Sequence, residues 1–118
     1  MSKNTTPLEE QEQQTFIEWL KIKGIPYCAF PNNIWSPSWG QKMKQKRLGL
    51  KPGFPDLLVV IRHRYLVFIE MKRIMGGSVS QEQREWKDLL NKIPNVESYV
   101  AKGAEEAIKI VERIVALP

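Results

Sequence analysis

Apolar positions along this chain change period several times, and each change marks an element. Between Leu8 and Lys23 the apolar residues Phe16, Trp19 and Leu20 recur at helical spacing among acids, amides and lysines. Thr6-Pro7-Leu8-Glu9 reads as the start of that helix, with Thr6 as cap, Pro7 in the first turn and Glu9 closing a capping box. Gly24 and Pro26 stop it. A short strand is expected at 27–30, a loop at 31–37 and a second, basic helix at 38–48 ended by Gly49. After a turn at 51–55, residues 56–61 are apolar on both faces, the pattern of a strand inside a sheet. Arg62-His63-Arg64 turns the chain, and 65–71 returns as the next strand. Gly76-Gly77 falls in a loop, followed by a helix at 80–92, a strand at 96–100 and an amphipathic helix at 104–115. Leu89, Leu90, Ile108, Ile110 and Val111 read as core. The order α-β-α-β-β-α-β-α predicts an α/β fold with a mixed sheet flanked by helices.

At 118 residues the expectation is one domain, 1–118, with one core. No apolar run approaches the roughly 20 residues that span a bilayer, and the polar start of the chain lacks a secretory signal, so a cytoplasmic setting is expected. Cys28 is the only cysteine and His63 the only histidine. That excludes an intrachain disulfide, a four-ligand Cys/His zinc site and a Cys-His or Ser-His nucleophile. Any metal is then held mainly by oxygen, which points to Mg²⁺ with Mn²⁺ as its substitute. Lys and Arg total 18 against 13 Asp and Glu. The excess suits a polyanion, and Lys42, Lys44, Lys46, Arg47 and Lys51 concentrate it within ten residues.

Strand alternation puts Leu66, Phe68, Glu70 and Lys72 on one face and Val67, Ile69 and Met71 on the other. Glu70 and Lys72 therefore point the same way, about 7 Å apart. With the turn centred on His63, Ile61 pairs with Tyr65 and Asp56 falls opposite Glu70. Two facing carboxylates repel, and a divalent cation between them removes the conflict. Solvation of both acids at the strand end is the other way out.

Gly53-Phe54-Pro55-Asp56 followed by Glu70-Met71-Lys72 resembles the PD-(D/E)xK nuclease motif. Gly-x-Pro-Asp-Leu-Leu, then Ile69-Glu70-Met71-Lys72, then the stretch from Gly76-Gly77 to Trp86, resembles the VRR-NUC family, in particular its small stand-alone phage and bacterial members. The likeness runs from the first helix through Gly103-Ala104-Glu105-Glu106-Ala107. It departs from the family at 33–45, where Trp35 and Trp39 stand in place of a short Gly-rich loop. The resemblance implies a restriction-endonuclease-like fold and Mg²⁺-dependent hydrolysis of DNA phosphodiesters in a bacterial or phage-infected cell. It implies that Asp56 and Glu70 ligate metal, that Lys72 is catalytic, and that a helix glutamine, here Gln83, and a first-helix glutamate take part. It also implies branched DNA, including four-way junctions, as substrate of a two-fold homodimer.

For the first-helix acid, Glu9, Glu10 and Glu12 compete. Glu9 and Gln13 project within the stripe of Phe16, Trp19 and Leu20, which favours Glu9 as a further metal ligand or an acid just behind the ligands, while helix capping alone also accounts for it. Gln83 likewise completes a capping box with Ser80. The basic residues at 42–51 suit backbone phosphates, and Trp35 and Trp39 suit either unpaired bases or packing. Ile34, Trp35, Trp39 and Met43 offer apolar surface for a self-complementary patch or for the core. A flap or fork nuclease, a non-catalytic DNA-binding accessory protein and a protein-interaction module are the competing readings.

Overall fold

The computed structural model describes residues 7–30 and 38–118. Thr6, the expected cap, and Ile34 and Trp35 lie outside the described residues. The elements are α1 (Pro7–Lys23), β1 (Tyr27–Ala29), α2 (Trp39–Arg47), β2 (Leu57–Ile61), β3 (Tyr65–Lys72), α3 (Gln81–Leu90), β4 (Val96–Lys102) and α4 (Ala104–Val115). The four strands form one sheet in the order β1-β2-β3-β4. The first two pairings are antiparallel and β3 with β4 is parallel, which makes α3 the crossover connection.

The β2–β3 hairpin has the expected register, from Ile61↔Tyr65 to Leu57↔Ile69. Arg62 and His63 take positive φ at its turn, and the Arg64 N–H donates to the Ile61 carbonyl. On one face of the sheet Leu57, Val59, Ile61, Val67, Ile69 and Met71 are sealed against Phe16 and Leu20 of α1 and Ala107, Val111 and Ile114 of α4. The other face is built differently. Phe68 is buried beneath a cluster in which Phe54 meets Phe30, Phe68 and Trp86 edge to face, at ring separations of 5.1, 5.5 and 5.0 Å.

Three expectations are corrected. Leu89 is 52% exposed while Leu90 is buried, because one step of helix turns neighbours about 100° apart. α3 stops at Leu90 instead of 92, where the Asn91 side chain accepts from the Ser98 N–H and donates to its carbonyl, tying the helix end to β4. β4 runs on to Lys102, since parallel pairing with Lys72 extends it past its apolar stretch. α2 starts where Ser38 Oγ accepts from the Gln41 N–H and ends ahead of Gly49 at φ +95°. It buries none of its residues and, among the described residues, packs broadly on no other element.

Candidate active site

Hairpin register carries Asp56 and Glu70 to the end of the sheet remote from the turn. They are 7% and 5% exposed, an unusual depth for acids on a strand end. The backbone leaves the ladder at Asp56, whose carbonyl accepts from the Phe30 N–H at 2.8 Å. Its side-chain Oδ2 accepts from the Met71 N–H at 2.9 Å. The Asp56 carboxylate is thus fixed by the backbone next to Glu70.

Glu70 presents two unlike oxygens. Oε2 accepts from Gln83 Nε2 at 2.8 Å and lies 3.5 Å from Lys72 Nζ. Oε1 is buried with no hydrogen-bond partner among the described residues. Burial, then the Asp56 charge, pushes the Glu70 carboxyl up to about 8, with Lys72 opposing. Burial likewise pushes Asp56 up to about 6; the Met71 amide opposes this and the Glu9 charge adds to it. Two neighbouring acids that resist ionising together have the chemistry of a cation site, and the orphaned Oε1 is an oxygen that such a cation can use.

Gln83 does two jobs through its two amide ends. Its Oε1 accepts from the Ser80 N–H at 3.0 Å while Ser80 Oγ accepts from the Gln83 N–H, a complete capping box. A backbone N–H can only donate, so the cap fixes Oε1 inward and turns Nε2 toward Glu70. The cap therefore orients the donor. Gly53 makes the approach possible: at φ +86°, a Cβ there would lie 2.6 Å from the Glu82 backbone carbon and 2.8 Å from the Gln83 nitrogen. The loop before Asp56 and the first turn of α3 are in backbone contact.

The three first-helix acids separate. Glu9 is half-buried and accepts from the Arg73 backbone N–H; burial raises its pKa, against the charge of Lys72. Glu10 is exposed. Glu12 Oε1 accepts from the Ala104 N–H at 2.6 Å and so caps α4. Periodicity gave no sign of this role, because the partner lies 92 residues away. Among the described residues, no three His, Cys, Asp or Glu side chains are gathered closely enough to hold a metal by themselves. Asp56 and Glu70 still fit Mg²⁺, which takes one or two carboxylates and keeps several waters. Lys42, Lys44, Lys46 and Arg47 lie along α2 and Lys51 follows it, all exposed. Trp39 is 76% exposed and Met43 half-buried. Among the described residues, no helix is long and apolar enough to cross a membrane.

The VRR-NUC domain family matches residues 8–105. A solved structure described as a VRR_NUC domain protein is similar over 96% of this chain and 92% of its own, with a TM-score of 0.71 and 26% identity. No curated protein matches. The family match runs from α1 to the start of α4, and takes in the hairpin, the acid pair and the helix that brings Gln83. In fold and in most of its length, the chain belongs to the VRR-NUC family of nuclease-type domains.

Proposed function

We propose that the protein is a divalent-metal-dependent endonuclease acting on DNA, with Asp56, Glu70 and Lys72 at its centre and Mg²⁺, or Mn²⁺ in its stead, as cofactor. The observation that carries this is the buried acid pair beside Lys72, with one Glu70 oxygen left without a donor among the described residues. Asp56 and Glu70 would hold the cation, with Glu9, close to Lys72 and Arg73, as the further acid of the site. When bound, the cation polarises the phosphodiester and acidifies the attacking water. The Met71 amide fixes Asp56 and Gln83 fixes Glu70, so neither carboxylate has to be ordered during reaction. Lys72, 3.5 Å from Glu70 Oε2, donates toward the nonbridging phosphate oxygens and offsets the charge that grows there. In-line attack leaves a 5′-phosphate and a 3′-hydroxyl.

Lys42, Lys44, Lys46, Arg47 and Lys51 bind backbone phosphates without reading sequence. The preferred substrate is branched DNA, including four-way junctions, and the working form is a two-fold homodimer. One Asp-Glu-Lys set cuts one strand, whereas a junction needs two nicks related by its symmetry. The exposed Trp39 supports an apolar contact between copies. Cleavage of duplex, flap, fork and four-way junction DNA in Mg²⁺ and in chelator, alongside sedimentation, tests the reading. The expected result is metal-dependent nicking strongest on branched DNA, from a dimer. Absence of cleavage of every substrate in Mg²⁺ and Mn²⁺ sinks the nuclease reading. A monomer that cuts all four equally sinks only its finer half.

A further inference from the structure

On the sheet face that carries Phe68 and Glu70, a cavity of about 320 Å³ opens between Gly49, Leu50, Lys51, Phe54 and Trp86. Its walls continue the two segments that build the site. Phe54 precedes Asp56 by two residues, and Trp86 follows Gln83 by three, close to one helical turn. The third wall is tied to the basic helix: the Gly49 N–H donates to the Lys46 carbonyl and the Leu50 N–H to the Gln45 carbonyl. Phe54 and Trp86 are half-buried, so their rings are both held in the edge-to-face cluster and accessible from outside. None of the lining residues is acidic, and Lys51 is the one cation among them. The volume is at the small end of ligand sites, suited to one flat ring system.

We propose that this cavity receives an unpaired nucleobase of the DNA strand whose phosphates run past α2 and Lys51 toward Asp56 and Glu70. Aromatic walls hold any base through its π-face, while the cations hold the phosphates on either side. A base inside a duplex cannot enter, because it is stacked and paired. The cavity therefore gives the nuclease a reason to prefer branch points, where unpaired nucleotides are free to turn outward. This rests on the nuclease reading.

The test is kcat/KM for Mg²⁺-dependent cleavage of a fork by the unaltered protein, with an abasic nucleotide placed at each unpaired position in turn. One position should lose about ten-fold and its neighbours little, as for the loss of one stacked base. Trp86→Leu should lose about ten-fold on the intact fork and nothing more on that abasic fork, while leaving any cleavage of full duplex unchanged. Trp86→Phe should restore most of the loss. A flat abasic scan, or losses that multiply when Trp86→Leu meets the abasic fork, overturns the cavity's role and leaves the nuclease reading intact. A protein that cuts no DNA overturns both. The scan uses the native chain, so it decides even where Trp86→Leu melts early.

Discussion

The two faces of β3 teach different lessons although they belong to eight consecutive residues. Val67, Ile69 and Met71 point into a sealed apolar layer, where each side chain is replaceable only by one of similar volume. Phe68, Glu70 and Lys72 pass from an aromatic cluster to a buried acid to a half-buried cation. The first face makes the protein stable. The second holds groups that burial disfavours, which stability alone does not explain.

Substitution separates the faces most sharply. Ile69→Ala should cost about 2–5 kcal/mol of stability, read by denaturant melts, while the folded fraction keeps its cleavage rate. Asp56→Ala, Glu70→Ala and Lys72→Ala should each abolish cleavage. The two acid variants should remain folded in chelator, since relief of the unfavourable acid burial offsets the Met71 or Gln83 hydrogen bond that is lost. Any of the three with near-native cleavage removes that residue from the proposed centre.

Gln83 and Ser80 sharpen the comparison, since both belong to one capping box. Each should cost about 1 kcal/mol when changed to alanine. Gln83→Ala should also reduce cleavage about 10–100-fold, as removal of a group that orients a metal ligand does, and should weaken Mg²⁺ binding. Ser80→Ala should reduce it less, because Gln83 retains its own hydrogen bond to Glu70. Equal loss of cleavage in the two variants makes the cap, not the donor, responsible.

The acid face also has a pH signature. The folded pKa values of Asp56 and Glu70 are raised, to about 6 and about 8, above the ordinary carboxylate range. Between that range and those values the folded protein holds protons that the unfolded chain has released, so stability falls with rising pH. The melting temperature in chelator should therefore drop from about pH 5 to about pH 8, and Mg²⁺ should flatten the slope. Glu70→Gln should lose most of the slope. A rising curve in chelator contradicts the raised values.

The smallest effect belongs to α2. Replacing Lys42, Lys44 and Lys46 together should leave stability unchanged, because the helix buries nothing. It should weaken DNA binding and reduce the salt slope by up to about 0.9 for each phosphate no longer neutralised. An unchanged slope turns this helix away from DNA.

Much of this arrangement was legible in the sequence where local rules act alone. The hairpin register followed from a short turn between apolar runs, and the strand alternation put Glu70 and Lys72 on one face. The stripe on α1 favoured Glu9 over Glu10 and Glu12, and the fold sets Glu9 near Lys72 and Arg73. What stayed hidden depended on partners distant in the chain. Glu12 capping α4 and Asn91 closing on Ser98 have no local signature. The Leu89-Leu90 pair misled because two adjacent leucines share one chemistry, while a helix presents them to different surroundings. The aromatic cluster of Phe30, Phe54, Phe68 and Trp86 was equally invisible, since its members come from four separate segments.

The parallel pairing of β3 with β4 has a consequence for the order in which the protein matures. Asp56 and Glu70 meet through a hairpin, which closes locally and early, on a timescale of about microseconds. Gln83 arrives on the crossover helix and is locked only when β4 has joined β3 and Gly103 has donated to the Lys72 carbonyl. Such non-local pairing comes late, after a larger loss of chain entropy. An emerging or partly unfolded chain thus carries the acid pair without the group that orients it. Of the groups around the acid pair, the one that orients Glu70 is therefore the last to be set.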